Sequence, residues 1–265
     1  MNRIEQRFRE LAGQKALITY LTAGDPDLAA TGRLVRAMER AGADLVELGL
    51  PFSDPVADGP VIQRASQRSL AKGTGVKAVM ALAARLRSDG LACPLLFMTY
   101  YNPVLQYGLA EFARDAAAAG VDGLIIPDLP REEAGPLLDC CLVAGLLLIP
   151  LVAPTSIPGR LPVVLDGARG FVYCVTVTGV TGSARATDSL AEMSRAVREH
   201  SSLPVAFGFG IATPADAVTA ARHADAVVVG SAFVRLVEEY PEPQALEEAV
   251  AAHTAVLKQA LRRGV

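Results

Sequence analysis

The chain has 265 residues, enough for one large domain, and a formal charge of −3 with no clustered lysines or arginines. That balance excludes a nucleic-acid surface. No apolar run is long enough to cross a bilayer, because the longest, around Leu142–Ala153, is broken by Gly145 and Pro150. Met1-Asn2-Arg3-Ile4-Glu5 has no apolar signal core, which points to the cytoplasm. The four cysteines, Cys93, Cys140, Cys141 and Cys174, form no metal-ligand spacing and read as buried free thiols.

Short apolar runs alternate with amphipathic stretches along the whole chain. A helix at Ile4–Leu11 comes first, then a strand at Leu17–Leu21 and a helix at Leu28–Ala41 that stops at Gly42. A second strand spans Leu45–Leu48. The connection to the third, Leu95–Thr99, is unusually long, with helices at Val61–Lys72 and through Arg87. Strands follow at Gly123–Ile126, Leu147–Leu151, Phe171–Val175, Val205–Phe207 and Ala226–Val229. Between them lie helices at Leu109–Ala119, Glu132–Ala144, Leu190–Glu199 and Pro214–Arg222, then a short one at Phe233–Glu239 and a closing one at Leu246–Arg262. The strand runs are continuously apolar, as buried parallel strands are. Eight β-then-α units in one chain of this length predict a single-domain (β/α)8 TIM barrel over residues 1–265. It carries an extra N-terminal helix and a long connection from strand 2 to strand 3. A flavodoxin-like open sheet would use fewer strands.

In such a barrel, chemistry sits at the C-terminal ends of the strands. Glu47 lies in the apolar run Leu45–Leu48, where a carboxylate is costly unless it is ion-paired or used. The loop Gly49–Pro60 adds Asp54 and Asp58 among three prolines, Pro51, Pro55 and Pro60. Either acid could be a turn or helix-capping residue. Glycine-rich turns follow strands 6, 7 and 8: Thr176–Gly182, Gly208-Phe209-Gly210 and Gly230-Ser231. Each could simply end a strand. Together, with the short helix behind Ser231, they fit a phosphate. No lysine falls in a strand, against a Schiff-base aldolase. His200, His223 and His253 read as exposed residues of outer helices, against a metal-dependent one.

The segment Glu47-Leu48-Gly49 with Pro51–Pro60 resembles the signature of tryptophan synthase α subunits. Further matching pieces are Leu21–Pro26, Met98–Pro103, Pro127–Pro130, Thr178–Gly182, Gly208–Ile211 and Gly230–Ala232, so the likeness covers nearly the whole chain. The resemblance implies a lyase that splits indole-3-glycerol phosphate into indole and glyceraldehyde 3-phosphate by a retro-aldol step. It implies that Glu47 and Asp58 are the catalytic pair. Tyr20, Tyr100, Ile125, Tyr173, Thr181 and Phe209 would contact substrate, and Gly182, Gly210, Gly230 and Ser231 would hold its phosphate. Tyr20 stands where many members have Phe, and Thr19 where many have Pro. The resemblance further implies an α2β2 complex that passes indole to a β subunit. That subunit would dock on Pro51–Asp58, Asn102–Gly108 and Asp128–Pro130. Pyridoxal phosphate would belong to the partner, with no cofactor or metal in this chain. Open alternatives are an autonomous indole-releasing lyase, another phosphate-binding barrel, and a silent subunit that activates a partner.

Overall fold

In the computed structural model, residues 1–157, 159–175, 184–208 and 210–264 are described, those of 184–187 by backbone alone. The strands are β1 (Ala16–Thr22), β2 (Leu45–Gly49), β3 (Leu95–Met98), β4 (Gly123–Ile125), β5 (Leu147–Leu148), β6 (Leu151–Val152), β7 (Val172–Val175), β8 (Val205–Gly208) and β9 (Ala226–Val229). All neighbouring pairs are parallel, in the order β5-β4-β3-β2-β1-β9-β8-β7-β6. The two ends of that sheet, β5 and β6, are halves of the one strand expected at Leu147–Leu151. Pro150 has no N–H to give a ladder, so the strand is interrupted there. The ring still closes. Ile149 N–H donates to Leu124 O on one side, and Pro150 O accepts from Tyr173 N–H on the other, both at 2.9 Å. The result is the (β/α)8 barrel with eight strand positions.

The helices are α1 (Arg3–Leu11), α2 (Leu28–Ala41), α3 (Pro60–Ala71), α4 (Val76–Ser88), α5 (Tyr101–Tyr107), α6 (Leu109–Ala118), α7 (Gly135–Ala144), α8 (Leu161–Leu165), α9 (Ala184–His200), α10 (Pro214–Ala221), α11 (Ser231–Glu239) and α12 (Pro243–Arg263). Two of these, α5 and α8, are not among the helices expected from the sequence; each has a proline in its first turn, Pro103 and Pro162. The helix expected from Glu132 begins instead as a 3-10 turn at Arg131–Glu133, and α7 starts afresh at Gly135. Among the described residues, no helix is long and apolar enough to cross a membrane.

The strands divide their side chains between two cores. Leu17, Leu21, Val46, Leu48, Phe97 and Val227 face outward and pack under the helices. Ile18, Tyr20, Leu45, Leu96, Ile125, Ile149 and Tyr173 fill the barrel interior. Helix α1 supplies Ile4 and Phe8 to that interior, Phe8 stacking on Phe171 at 5.6 Å between ring centres. At the same end, Asp44 is fully buried. It accepts from Leu17 N–H at 2.7 Å, Lys258 Nζ at 2.6 Å and Arg7 at 2.7 Å. Removing one partner of a buried ion pair costs about 3–5 kcal/mol, since the other charge stays behind. Arg7 remains to hold Asp44. Lys258→Ala is therefore expected to lose about 3 kcal/mol of stability, read as a lower urea midpoint.

Candidate active site

Glu47 sits on β2 in register with Tyr20 of β1 and Leu96 of β3, so all three point the same way, into the barrel. It is fully buried. Among the described residues, neither carboxyl oxygen has a hydrogen-bond partner. The alternative of an ion-paired structural acid therefore fails. Burial alone pushes the Glu47 carboxyl up to about 8, so it is neutral at pH 7.

Asp58 lies in the loop between β2 and α3. The N-cap of α3 is Gly59, with Pro60 in the first turn and no side-chain cap, so Asp58 is not the capping residue that its position allows. Its carboxyl instead lies close enough to the Tyr100 hydroxyl for hydrogen bonding to pull its pKa down. Burial raises it to about 6 against the opposing pull of that bond, which leaves it ionised at pH 7. The same hydroxyl accepts from Ala57 N–H at 3.0 Å, and the Tyr100 ring lies 5.4 Å from Phe52. One tyrosine thus anchors both ends of the loop. Gln63 Nε2 secures Asp58 O at 2.8 Å. Asp54 is exposed and bonded by its neighbour Ser53.

Tyr20 and Tyr173 complete the mouth. Both are buried, and their hydroxyls lie against the backbones of Gly49 and Gly208 respectively. A Cβ at either glycine would collide with the hydroxyl, so each tyrosine depends on its glycine. Neither dependence shows in the sequence. Burial above all, with the carboxylates of Asp58 and Glu47 nearby, holds both phenols far above their ordinary range. Ile125 of β4 adds a fully buried apolar wall.

On the adjoining side of the rim, β8 and β9 are neighbours, and Gly210 and Gly230 follow their ends. Gly210 has φ +78°, a conformation suited to glycine. Gly230 is the N-cap of α11 and Ser231 its first residue. Thr181, Gly182 and Phe209 lie outside the described residues. Among the described residues, no group of three or more His, Cys, Asp or Glu could hold a metal ion. His253 corrects one expectation, since its ring is half-buried against Phe233 at 5.0 Å. Burial lowers its proton affinity.

A cavity of about 600 Å³ lies elsewhere, against β5 and β6, walled by Leu138, Leu142, Leu148 and Val164. Neither Glu47 nor Tyr173 lines it, but Ala57, next to Asp58 in the chain, does, together with Asp128, Leu129 and Pro130.

A family profile described as tryptophan synthase alpha chain matches residues 8–263. The tryptophan synthase alpha chain of Citrifermentans bemidjiense is 49% identical over 267 residues, covering 100% of this chain and 99% of that protein. That of Caldanaerobacter subterraneus subsp. tengcongensis is 49% identical over 252 residues, covering 94% and 95%. Among solved structures, tryptophan synthase subunit alpha from Legionella pneumophila str. Paris superposes with a TM-score of 0.90 at 36% identity, over 98% of each chain. A structure of Mycobacterium tuberculosis tryptophan synthase gives 0.88 at 38% identity, over 99% of each chain.

The buried Glu47 links stability to pH. The folded chain keeps this proton up to about 8, whereas an exposed glutamate releases it near 4.5. Across that window the folded state binds more protons, so stability falls as pH rises. Glu47→Gln removes this loss. The variant is expected to exceed the parent in stability by a few kcal/mol at pH 8.5 and by much less at pH 5. Paired urea titrations at the two pH values check this.

Proposed function

Because the chain belongs to the tryptophan synthase alpha chain family, we propose that it cleaves indole-3-glycerol phosphate to indole and glyceraldehyde 3-phosphate, as a carbon–carbon lyase. One observation carries this reading. Two carboxyls at one barrel mouth hold opposite protonation states between about 6 and 8, Glu47 neutral and Asp58 ionised. Environment has split chemically similar groups into an acid and a base.

The chemistry follows from that split. A retro-aldol cleavage needs somewhere for the electrons of the breaking C–C bond to go. The substrate's own indole ring serves once its C3 is protonated. Glu47, carrying a proton in an apolar wall, gives it to C3 and leaves an indoleninium cation. Asp58, as a carboxylate, accepts the indole N–H and stabilises the positive charge growing on that nitrogen. The glycerol hydroxyl next to C3 then loses its proton to the Glu47 carboxylate. The C–C bond breaks, its electrons restore the aromatic ring, and the hydroxyl carbon becomes the aldehyde. The proton donated equals the proton recovered, so Glu47 ends as it began.

Binding draws on the rest of the mouth. Tyr20, Tyr100, Ile125, Tyr173 and Phe209 would enclose the indole, with Thr181 closing over it. Gly182, Gly210, Gly230 and Ser231 would hold the phosphate at the N-terminus of α11, where backbone N–H groups favour an anion. No cofactor enters these steps. A β subunit carrying pyridoxal phosphate would dock in an α2β2 assembly on Pro51–Asp58, Asn102–Gly108 and Asp128–Pro130. Tyr100 supports this surface as a control point, because it ties the Asp58 loop to the start of α5, which Asp128 also caps through Tyr101 N–H at 2.9 Å. Pressure there bears directly on Asp58.

The test is indole release from indole-3-glycerol phosphate by the purified chain, with and without a tryptophan synthase β subunit. Slow release that rises sharply with β supports both the reaction and the partnership, and no release in either case removes the lyase reading. Glu47→Gln and Asp58→Asn should each lower kcat by about 10² to 10⁴ with unchanged circular dichroism. The rate of the parent should be bell-shaped in pH, falling below about 6 as Asp58 is protonated and above about 8 as Glu47 ionises.

A further inference from the structure

We propose that Glu238 is a positioning residue for the cleavage: through Arg64 and Arg68 it fixes helix α11, which would hold the substrate's phosphate, against helix α3, which follows directly on Asp58, and so sets the span between the two ends of the substrate. The proposal rests on the lyase reading and on the roles given above to Asp58 and to the start of α11. It adds the residue that spaces them.

The two ends belong to different helices. The phosphate would lie at Gly230-Ser231, the N-cap and first residue of α11. Asp58 stands immediately before Gly59, the N-cap of α3, and Gln63 of that helix donates to its backbone O at 2.8 Å. A shift of α3 relative to α11 therefore changes the distance between the phosphate and Asp58. The helices pack against each other, and Ala65 of α3 and Val234 of α11 are both buried in the apolar cluster that fills the barrel. Apolar contact is non-directional and fixes no register by itself.

Glu238 supplies the direction. Arg64 meets it as a two-pronged fork, Nε to one carboxylate oxygen and Nη2 to the other, both at 3.1 Å. Arg68, one turn further along α3, adds Nη1 at 2.7 Å. Among the described residues, no other side chain of α11 hydrogen-bonds α3. The arginine end of this tie is anchored in turn. Arg68 Nε and Nη2 donate to the two oxygens of Asp25 at 2.9 and 2.6 Å, and Asp25, in the loop after β1, is buried. Ser69 beside it donates to Ala23 O at 2.6 Å. Helix α3 is thus secured to the end of β1 by several bonds, whereas α11 is secured to α3 by one carboxylate. A single exposed ion pair contributes little, but forked arginine–carboxylate pairs joined in a network hold a defined geometry. Geometry is what a substrate held at both ends needs, since a misplacement of about 1 Å can cost about 10² in rate.

The experiment measures indole release by the full chain, with inorganic phosphate and indole as separate inhibitors, one for each end of the site. Glu238→Gln keeps the size of the side chain and removes its charge. Its kcat should fall about tenfold, while the inhibition constants of phosphate and of indole each stay within about twofold, because each half of the site is intact and only their spacing is loosened. Arg64→Met should lower kcat in the same selective way, and Arg64→Lys, which keeps the charge without the fork, should lose less. A lowered melting temperature with kcat unchanged in Glu238→Gln makes the tie a stability feature and overturns the proposal. A phosphate inhibition constant that rises in step with the loss of rate overturns it too, since the phosphate site itself would then be damaged. Should Glu238→Gln fail to fold, Arg64→Met decides by the same measurements, because Arg68 still holds Glu238. No indole release by the parent overturns the lyase reading and the proposal with it, a pattern distinct from the other two.

Discussion

A parallel barrel has one recurring weakness at its base, where each strand begins with backbone N–H groups that no ladder has yet satisfied. Three aspartates answer it in the same way. Asp44, Asp122 and Asp225 each stand just before a strand and accept an N–H from the first or second residue of a neighbouring one, of Leu17, Leu95 and Val205 respectively. Each carboxylate is then secured by a cation from the outer helices: Lys258 for Asp44, Arg87 for Asp122 and Arg198 for Asp225. Strand register and helix docking are thereby set at one end of the molecule. The opposite rim can carry loops and unpaired groups without loosening the frame, a division of labour that suits this architecture.

Glu47 is the chief beneficiary. A glutamate sealed in a barrel with no partner is tolerated because it is held neutral, and an uncharged carboxyl is far less costly to bury than an ion. The same condition makes it an acid at neutral pH. Asp58, by contrast, sits on a proline-stiffened loop with Tyr100 in reach and keeps its charge. The difference between the two is one of placement, since a wall of β2 and a loop beyond it lie only a few residues apart in the chain.

The strands were legible because continuous apolar runs have few other uses, and Glu47 stood out as the one acid inside such a run. The pairing of Asp58 with Tyr100 was not legible from spacing. The two belong to different strand ends, and only closure of the barrel brings them together. Tyr20 and Tyr173 could be placed on the inner face, but not their dependence on Gly49 and Gly208, which is a matter of hydroxyl reach. Prolines act in two ways here. Pro103 and Pro162 sit in the first turns of real helices, where a missing N–H does no harm. Pro150 lies inside the predicted fifth strand and divides it. His253 read as a surface residue because its helix is amphipathic, whereas α11 covers its ring.

That divided strand has a further consequence, for the order in which the molecule can assemble. The sheet parts between β5 and β6 into two arcs, β1–β5 and β6–β9, each continuous in sequence. Within each arc every hydrogen-bonded pair joins strands adjacent along the chain, so each can form with modest loop-closure cost. The arcs meet through the single long-range pairing of β1 with β9, where Ala16 is in register with Ala226. Closure of the ring therefore waits for the last strand, and with it the wall that carries Gly230 beside Tyr20. The reacting mouth is complete only when the two ends of the polypeptide have met.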